Sequence, residues 1–285
     1  MASDYRCFYC LARSVENLLE KIPMPAEKKK SFTLDMIDLY LERQRKELTP
    51  DFSRDLYRIL RGYSGIDDPY KEEKHRSNLQ ALELLPKLEE IIRQSSDPFV
   101  TAIRLAIAGN VIDFAVHRNF NLEETIEKSL KAPFAADHTA ELKSAVEKAS
   151  SILYLGDNAG EIVFDKLFIR TMNHSNVTFA VRGMPVINDA TLEDARFTGM
   201  HEVARVISNG YDAPSTLVEK SGSEFREYFR NADLIISKGQ GNLEGLYKLN
   251  DKRIFFILLV KCNVIAELLG VEKNSLVTFN SSYLK

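Results

Sequence analysis

The sequence contains no tryptophan and only three cysteines among 285 residues. An odd and small number of cysteines argues against a disulfide scaffold and favours a reducing compartment. The formal net charge of −3 gives no basic surface of the kind that nucleic-acid binding requires. The longest apolar run, Ile254–Val260, is far shorter than a membrane span, and the N-terminus lacks the pattern of a secretory signal. We therefore expect a cytoplasmic protein without a membrane span or a nucleic-acid partner.

The composition matches a globular protein, with 45% hydrophobic and 28% charged residues. Helix-forming residues dominate up to about residue 148, and no segment before that point resembles a parallel strand. Beyond it, short β-branched apolar runs alternate with helical stretches, which is typical of a mostly parallel sheet covered on both faces. These runs are Ile152–Leu155, Val177–Val181, Val203–Ile207, Leu234–Ile236, Ile254–Leu259 and Leu276–Phe279. The sequence predicts an α-helical domain over residues 1–148 and a Rossmann-like α/β/α domain over residues 149–285.

The helical half contains clear periodicity and several helix breakers. A helix is predicted over Thr33–Lys46 from the one-sided spacing of its apolar residues. A second helix, Phe52–Leu60, is expected to stop at Gly62, because glycine commonly ends helices. The helical stretch Lys71–Arg93 contains Pro86, which is expected to kink or break it.

The central motif is the turn that follows the apolar run Ile152–Leu155. Its residues Gly156–Gly160 lead into a helix that opens at Glu161. Asp157 and Asn158 are hard oxygen donors beside the positive end of that helix, which suits a divalent cation together with a phosphate ester. The alternative is that the Asp-Asn pair merely caps the helix. The turn lacks the GxGxxG spacing of a dinucleotide loop.

Three further strand ends carry polar or glycine-rich segments. The second has Arg182, followed by Asn188-Asp189 and by Asp194 on the next helix; Arg182 can grip a phosphate or form a surface ion pair. The third is Lys238–Asn242, in which Gly239 and Gly241 allow an anion nest but also an ordinary tight turn. The fourth ends at Lys261, whose charge requires an anionic partner if it is buried. Together the four ends predict one oxygen-rich, phosphate-binding cleft.

Two motifs of the helical half are ambiguous. Asn110 and Asp113 share one face of an apolar helix, where they either line the cleft or tie helices together. Cys7 and Cys10 resemble half of a zinc site or a redox pair, and Cys262 is the only other thiol. The five histidines show no zinc-enzyme spacing.

The motifs taken together resemble the metal-dependent damage-control phosphatases, the ARMT-like family long catalogued as a domain of unknown function. The matching segments are GDNAGE-x-x-x-D, RG-x-P-x-x-NDAT-x-x-DA, SKGQGN-x-E and the strand-end Lys-Cys. The N-terminal Cys-x-x-Cys, the DPY-x-x-x-K-x-x-x-N segment and the AGN-x-x-D helix are similar to its short, stand-alone microbial branch. The resemblance covers essentially the whole chain, and it implies a helical domain packed against an α/β/α sheet.

The resemblance also implies roles for individual residues. Asp157, Asn158 and Asp194 would hold manganese, nickel, cobalt or magnesium, and Asp157, Asp194 and Lys261 would carry the catalysis. Glu161, the nest residues Lys238, Gly239, Gly241 and Asn242, and Lys261 would contact the phosphate or the substrate. Arg182, Asn110 and Asp113 are added as substrate-binding candidates from their own positions in the sequence. Only the lysine of the eukaryotic Arg-Thr-x-Lys pattern is present, at Lys261.

The resulting expectation is a divalent-metal-dependent phosphatase that hydrolyses a small phosphorylated metabolite. A sugar phosphate, a phosphopantetheine derivative and a damaged nucleotide or cofactor fit equally well. One alternative is an S-adenosylmethionine-dependent methyltransferase, since a Gly/Asp strand end can also cradle that cofactor. Another is a non-enzymatic protein that binds a metal or a phospholigand in the same cleft. The nucleophile, a water or an aspartate, and the oligomeric state stay open.

Overall fold

The computed structural model describes residues 4–43, 50–115 and 122–284, without the side chains of residues 111–115, 122, 123 and 125. These residues contain a seven-stranded sheet in the order β1-β7-β6-β5-β2-β3-β4. The strands are β1 (Phe134–Asp137), β2 (Ile152–Leu155), β3 (Val177–Val181), β4 (Arg205–Ser208), β5 (Leu234–Lys238), β6 (Ile254–Leu259) and β7 (Leu276–Asn280). All neighbouring pairs are parallel except β6 and β7. The predicted mostly parallel sheet is confirmed.

The α-helices of the described segments surround this sheet. They are α1 (Tyr5–Lys21), α2 (Ala26–Arg43), α3 (Pro50–Ser64), α4 (Lys71–Gln94), α5 (Pro98–Ala115), α6 (Leu122–Lys131), α7 (Thr139–Lys148), α8 (Glu161–Met172), α9 (Leu192–Phe197), α10 (Ser223–Asn231), α11 (Gly239–Leu246) and α12 (Asn263–Leu269). Short 3-10 turns follow at Met200–Glu202, Val218–Lys220, Tyr247–Leu249 and Ser281–Tyr283. Within the segments described, no helix is both long enough and apolar enough to cross a bilayer.

The alternation of side chains along each strand divides the core into two layers. In β2, Ile152 and Tyr154 pack into a cluster with α4–α8, whereas Leu153 and Leu155 pack into a second cluster with α10–α12. Successive residues of a strand point to opposite faces, so a strand that is apolar throughout needs cover on both sides. All four residues of β2 are buried. The predicted arrangement of helices on both faces of the sheet is therefore confirmed.

Helices α1–α3 form a third cluster of buried side chains, separate from the two that contact the sheet. Phe32 and Leu56 lie at its centre. Val186 and Ile187, from the loop after β3, also pack into it. The first three helices therefore rest on a loop at the carboxyl end of the sheet.

Several local expectations for the helical half are wrong. Strand β1 lies before residue 148 and pairs with β7; it is short and contains no β-branched residue, so a strand is hard to recognise there from sequence. Helix α3 continues through Gly62 and ends just before Gly65, which has a φ of +70°. Helix α4 runs through Pro86 without the expected break, whereas the expected kink stays a prediction.

Helix α2 differs from its prediction in its start and in its buried side. It begins at Ala26, before the predicted start at Thr33, and the predicted end at Lys46 lies outside the described residues. Its buried side is formed by Phe32 and Met36. The apolar side chains from which the helix is predicted are exposed instead, namely Leu34, Ile37 and Leu41.

Candidate functional site

The loops that follow β2 and β3 are joined side by side at the carboxyl end of the sheet. The backbone N–H of Ala190 donates to the carbonyl of Asp157 (2.8 Å), and that of Ala159 donates to the carbonyl of Asn188 (3.0 Å). An isolated antiparallel bridge pairs Asn158 with Asp189. The two loops consequently bring an Asp-Asn pair and a second aspartate into one cleft, as expected for the carboxyl ends of adjacent parallel strands.

Asp157 is the carboxylate of this cleft with the strongest electrostatic perturbation. It is 8% exposed, and its Oδ2 accepts a hydrogen bond from the amide of Asn158 at 3.0 Å. Burial raises the pKa of Asp157 well above its ordinary value, and the neighbouring carboxylates of Glu161 and Asp189 raise it further. The charges of Arg182 and Lys261 act in the opposite direction. A cation at this point would therefore be strongly stabilised.

Arg182 lies between the two aspartates. Its Nε donates to Asp189 Oδ2 at 2.5 Å, and its Nη2 is 3.5 Å from Asp157 Oδ1. The side chain is 2% exposed, and its Nη1 donates to the Thr216 hydroxyl at 3.3 Å. The sequence predicts that Arg182 either grips a phosphate or forms a surface ion pair. The structure gives a third arrangement, a buried bridge between two carboxylates.

Asp194, the expected third metal ligand, is engaged elsewhere. Its Oδ2 accepts from the backbone N–H and the hydroxyl of Thr191 at 2.9 and 2.8 Å, which completes a capping box at the start of α9. Lys74 and Asn78 of α4 donate to its two oxygens at 3.1 and 2.9 Å. The residue that faces the Asp-Asn pair is Asp189 instead. Because the two aspartates are only five residues apart, spacing alone does not show which of them faces the Asp-Asn pair and which caps α9.

Lys238 differs most from its predicted role. Its side chain is 0% exposed, and its ammonium donates to Glu161 (2.6 Å), Asp165 (2.8 Å) and the carbonyl of Ala106 (2.9 Å). Three acceptors satisfy all three of its hydrogens, so Lys238 holds Glu161 in place and has no hydrogen left to donate to a phosphate. Asp165 also accepts from the Tyr154 hydroxyl at 2.7 Å. Asp165 lies one turn after Glu161 on α8, a spacing that could have revealed the ion network.

Asn110 of α5 completes the amide contacts around these acids. Its Nδ2 donates to Glu161 Oε2 on α8 at 2.7 Å and lies 3.3 Å from Asp157 Oδ2, so its position fits both expectations, that it ties helices together and that it lines the cleft. Its Oδ1 is buried and has no hydrogen-bond partner among the described residues. An unpaired buried acceptor is costly and is well suited to a bound water or a ligand hydroxyl. The side chain of Asp113 lies outside the described part of the chain.

The glycines of the third strand end permit a close approach of α11 to Asp157. Gly239 has a φ of +78°, and a Cβ built there would lie 1.8 Å from Asp157 Oδ2. A Cβ on Gly241 would lie 2.5 Å from the carbonyl oxygen of Pro214. Asn242 is fully buried; it donates to the carbonyls of Gly156 and Lys238 and accepts from Thr216. The Asn242 side chain therefore ties loops together, and its predicted phosphate contact stays a prediction.

Lys261 stands at the end of β6, and the backbone N–H of Lys261 donates to Gln240 Oε1 at 3.2 Å. Burial raises the pKa of Asp157, and the positive charge of Lys261 offsets part of that rise. Gln240 also reaches the thiol of Cys262 at 3.4 Å. Cys7, Cys10 and Cys262 are all free thiols.

The donors of the cleft fit a hard divalent cation. The described residues contain no group of three or more His, Cys, Asp or Glu side chains arranged to hold a metal ion. The available set is instead the two carboxylates of Asp157 and Asp189 together with the side-chain amide of Asn158, whose backbone is paired with that of Asp189. Carboxylate and amide oxygens are the ligands of hard cations, which usually complete their shells with water. Burial raises the pKa of both aspartates, and a cation beside them would favour their charged forms.

The fold and the cleft define an α/β/α protein with an acidic cleft at the carboxyl ends of its parallel strands. The family model of the damage-control phosphatase ARMT1-like domain matches residues 3–277. The chain belongs to this family. It is 35% identical to a damage-control phosphatase of Pyrococcus horikoshii, over 99% of both chains.

Two further archaeal proteins and one solved structure are also similar. A damage-control phosphatase of Archaeoglobus fulgidus is 36% identical, over 79% of this chain and 78% of its own. An uncharacterized protein of Methanocaldococcus jannaschii is 37% identical, over 76% and 75%. The crystal structure of a DUF89 family protein from Pyrococcus horikoshii superposes with a TM-score of 0.87 at 34% identity, covering 99% of this chain and all of that one.

Proposed function

We propose that the protein is a divalent-metal-dependent phosphatase that acts on a small phosphorylated metabolite in the cytoplasm. The observation that carries the proposal is the meeting of Asp157, Asn158 and Asp189 where two β–α loops join. Two relatives that cover three quarters or more of this chain are named damage-control phosphatases, which supports phosphoester hydrolysis. The proposed cations are manganese, nickel, cobalt and magnesium.

The proposed cation is held by the Asp157 and Asp189 carboxylates and the Asn158 amide oxygen. When bound, it supplies a Lewis acid that polarises the phosphoryl group of the substrate. This assignment replaces Asp194 by Asp189, because the oxygens of Asp194 are engaged by Thr191, Lys74 and Asn78.

The chain's own residues bind and orient the phosphate. Lys261 supplies a positive charge that acts on Asp157, and the backbone at the start of α11 approaches Asp157 closely because Gly239 has no side chain. Both are suited to the negative charge that develops in phosphoryl transfer. Arg182 holds Asp157 and Asp189 at a fixed separation, and Lys238 fixes Glu161. The attacking group, a water or an aspartate, is left open in this scheme.

The first experiment is a phosphate-release screen with sugar phosphates, phosphopantetheine derivatives and nucleotides, each with Mn²⁺, Ni²⁺, Co²⁺ or Mg²⁺. We expect metal-dependent release that is lost in Asp157→Ala, while the thermal melt followed by circular dichroism is largely unchanged. Gly62→Ala is the matched control and should keep full activity, because a Cβ on this residue of α3 meets no atom of the described residues. Unchanged turnover in Asp157→Ala would remove Asp157 from the chemistry.

The alternative functions have their own signatures. Calorimetric binding of S-adenosylmethionine without any metal would favour a methyltransferase. Tight binding of metal and phosphate esters without released phosphate would favour a non-enzymatic binding protein. Either result would replace the phosphatase proposal.

A further inference from the structure

One side chain of the helical half, Asn78 on α4, is bonded to both loops of the candidate site. Its Oδ1 accepts from the backbone N–H of Gly160 at 2.7 Å, and its Nδ2 donates to Asp194 Oδ1 at 2.9 Å. Asn78 is 1% exposed and Asp194 is 6% exposed. Gly160 follows Asn158 closely in the first loop, and Asp194 is fastened to Thr191 at the end of the second loop. Asn78 thereby connects the backbones that carry the proposed ligands.

Lys74, one turn earlier on α4, secures the same aspartate. Its ammonium is 3.1 Å from Asp194 Oδ2 and 2.8 Å from Asp68 Oδ2, and the residue is 4% exposed. Burial raises the pKa of Asp189, and the positive charge of Lys74 offsets part of that rise. A buried lysine with two carboxylates is an arrangement in which loss of either partner is costly. The lysine therefore makes Asp194 a rigid attachment point for the second loop.

Direct packing leaves little room for movement between α4 and the first loop. Gly160 has a φ of +76°, and a Cβ there would lie 3.0 Å from Ser77 Cβ. Gly160 is also the residue that precedes the first turn of α8. The contact therefore fixes the loop at a point between Asn158 and Glu161.

We propose that Lys74, Asn78 and Asp194 form a clamp that positions Asp157-Asn158 relative to Asp189, and so sets the affinity of the site for its divalent cation. The proposal rests on the proposed function in assuming that these loops hold a cation. Its members are positioning residues, since they act on the ligands through the loop backbones. Residues that orient metal ligands from outside typically change metal affinity or activity by about 10–100-fold when they are replaced.

The two hydrogen-bonding partners can be exchanged to test the clamp. Asn78→Asp keeps an acceptor for the Gly160 N–H but places a carboxylate against Asp194. Asp194→Asn places an amide donor against the amide donor of Asn78. In the double variant Asn78→Asp/Asp194→Asn, the new carboxylate on α4 accepts from both Gly160 and the new amide. The original pattern of bonds therefore returns, with the direction of one bond reversed.

The measurement is calorimetric titration with Mn²⁺, accompanied by phosphate release and amide hydrogen exchange at Gly160 and Thr191. We expect each single variant to bind Mn²⁺ about 10–100-fold more weakly, and the double variant to recover most of that loss. Gln80→Glu, which makes the same amide-to-acid change on the exposed side of α4, should bind as the wild type does. Faster exchange at Gly160 and Thr191 should accompany the weaker binding in the single variants.

The outcomes separate the clamp from the phosphatase proposal. Single variants that fold and bind Mn²⁺ like the wild type would overturn the clamp, whatever the activity. A double variant no better than Asp194→Asn would also overturn it, because that is the result if Asp194 itself ligates the metal. If the wild type binds Mn²⁺ but releases no phosphate, the phosphatase proposal fails while the titration still judges the clamp. If Asn78→Asp fails to fold, Asp194→Asn and the double variant decide.

Discussion

Gly239→Ala is the substitution for which the structure makes the strongest prediction. Gly239 begins α11 with a φ of +78°, a conformation that costs an alanine about 1–2 kcal/mol. The added Cβ would also lie 1.8 Å from Asp157 Oδ2. This distance is more than about 1 Å shorter than the separation of two heavy atoms in ordinary van der Waals contact. Either the Asp157 carboxylate or the start of α11 must therefore move.

The two effects are separable by assay. Backbone strain lowers the melting temperature, by about 2–4 °C for each kcal/mol in a chain of this size. Displacement of Asp157 by about 1 Å lowers metal-dependent turnover by about 100-fold or more. We expect both in Gly239→Ala, measured as a thermal melt and as kcat/KM for the best ester of the screen at saturating Mn²⁺.

Gly65→Ala is the matched control for this prediction. Gly65 has a φ of +70°, and within the described part of the chain no atom lies within 4 Å of the position that its Cβ would take. It should show the strain without the collision, and so lose stability but keep its kcat/KM. Wild-type turnover in Gly239→Ala would show that catalysis does not require Asp157 in the position that the structure gives it. That result would refute the prediction.

Three further predictions concern the buried charges. Lys238→Met should lower the free energy of unfolding, measured in urea, by about 3–5 kcal/mol, because it leaves Glu161 and Asp165 without their cation. A loss below about 1 kcal/mol would contradict the ion network of these three residues. Burial raises the pKa of Asp165 from 3.8 to about 6. The contribution of Asp165 to the free energy of unfolding is therefore fully present below pH 3.8 and is lost as the pH rises through about 6. The difference in free energy of unfolding between the wild type and Asp165→Asn should therefore shrink between pH 3.8 and about 6. A difference that stays constant over this range would contradict the prediction. Mn²⁺ at about 100 times its Kd should stabilise the wild type by about 2.7 kcal/mol, but should leave Asp189→Asn unaffected; an equal increase in that variant would exclude Asp189 as a ligand.

Local patterns were sufficient to predict the elements around the cleft. The apolar run Ile152–Leu155 followed by a glycine-containing turn predicted β2 and the start of α8 at Glu161, and both are observed. The run Ile254–Leu259 likewise corresponds to β6. Such segments are predictable because burial on both faces requires continuous apolar residues, a signal that does not depend on distant contacts. Strand β1 lacks that signal, since it is held at the sheet edge by its pairing with β7.

The roles of individual polar residues depended on long-range contacts and were harder to predict. Lys238 follows a strand and precedes glycines, as a phosphate-binding lysine would, yet its ammonium turns inward to Glu161 and Asp165 on α8. Asp189 and Asp194 are both aspartates that follow β3, so the sequence alone offers either one as a metal ligand. Only the contacts of Asp194 with α4 distinguish the two roles. The residues around Lys238 and Asp194 in the sequence do not indicate hydrogen-bond partners that lie more than 70 positions away.

The backbone of Ile187 shows the same limit. Its φ of +46° is unfavourable for a β-branched residue. The residue packs against the cluster formed by α1–α3, so contacts with a distant part of the chain hold this conformation. No pattern in the sequence around Ile187 indicates it.

The central claim is that Asp157, Asn158 and Asp189 together bind one divalent cation. The most direct measurement is the anomalous scattering of Mn²⁺ in crystals of the wild-type protein. We predict a single strong peak bonded to oxygens of these three side chains, with Asp194 still bonded to Asn78. A peak on Asp194, or no peak between the two loops at saturating Mn²⁺, would contradict the account.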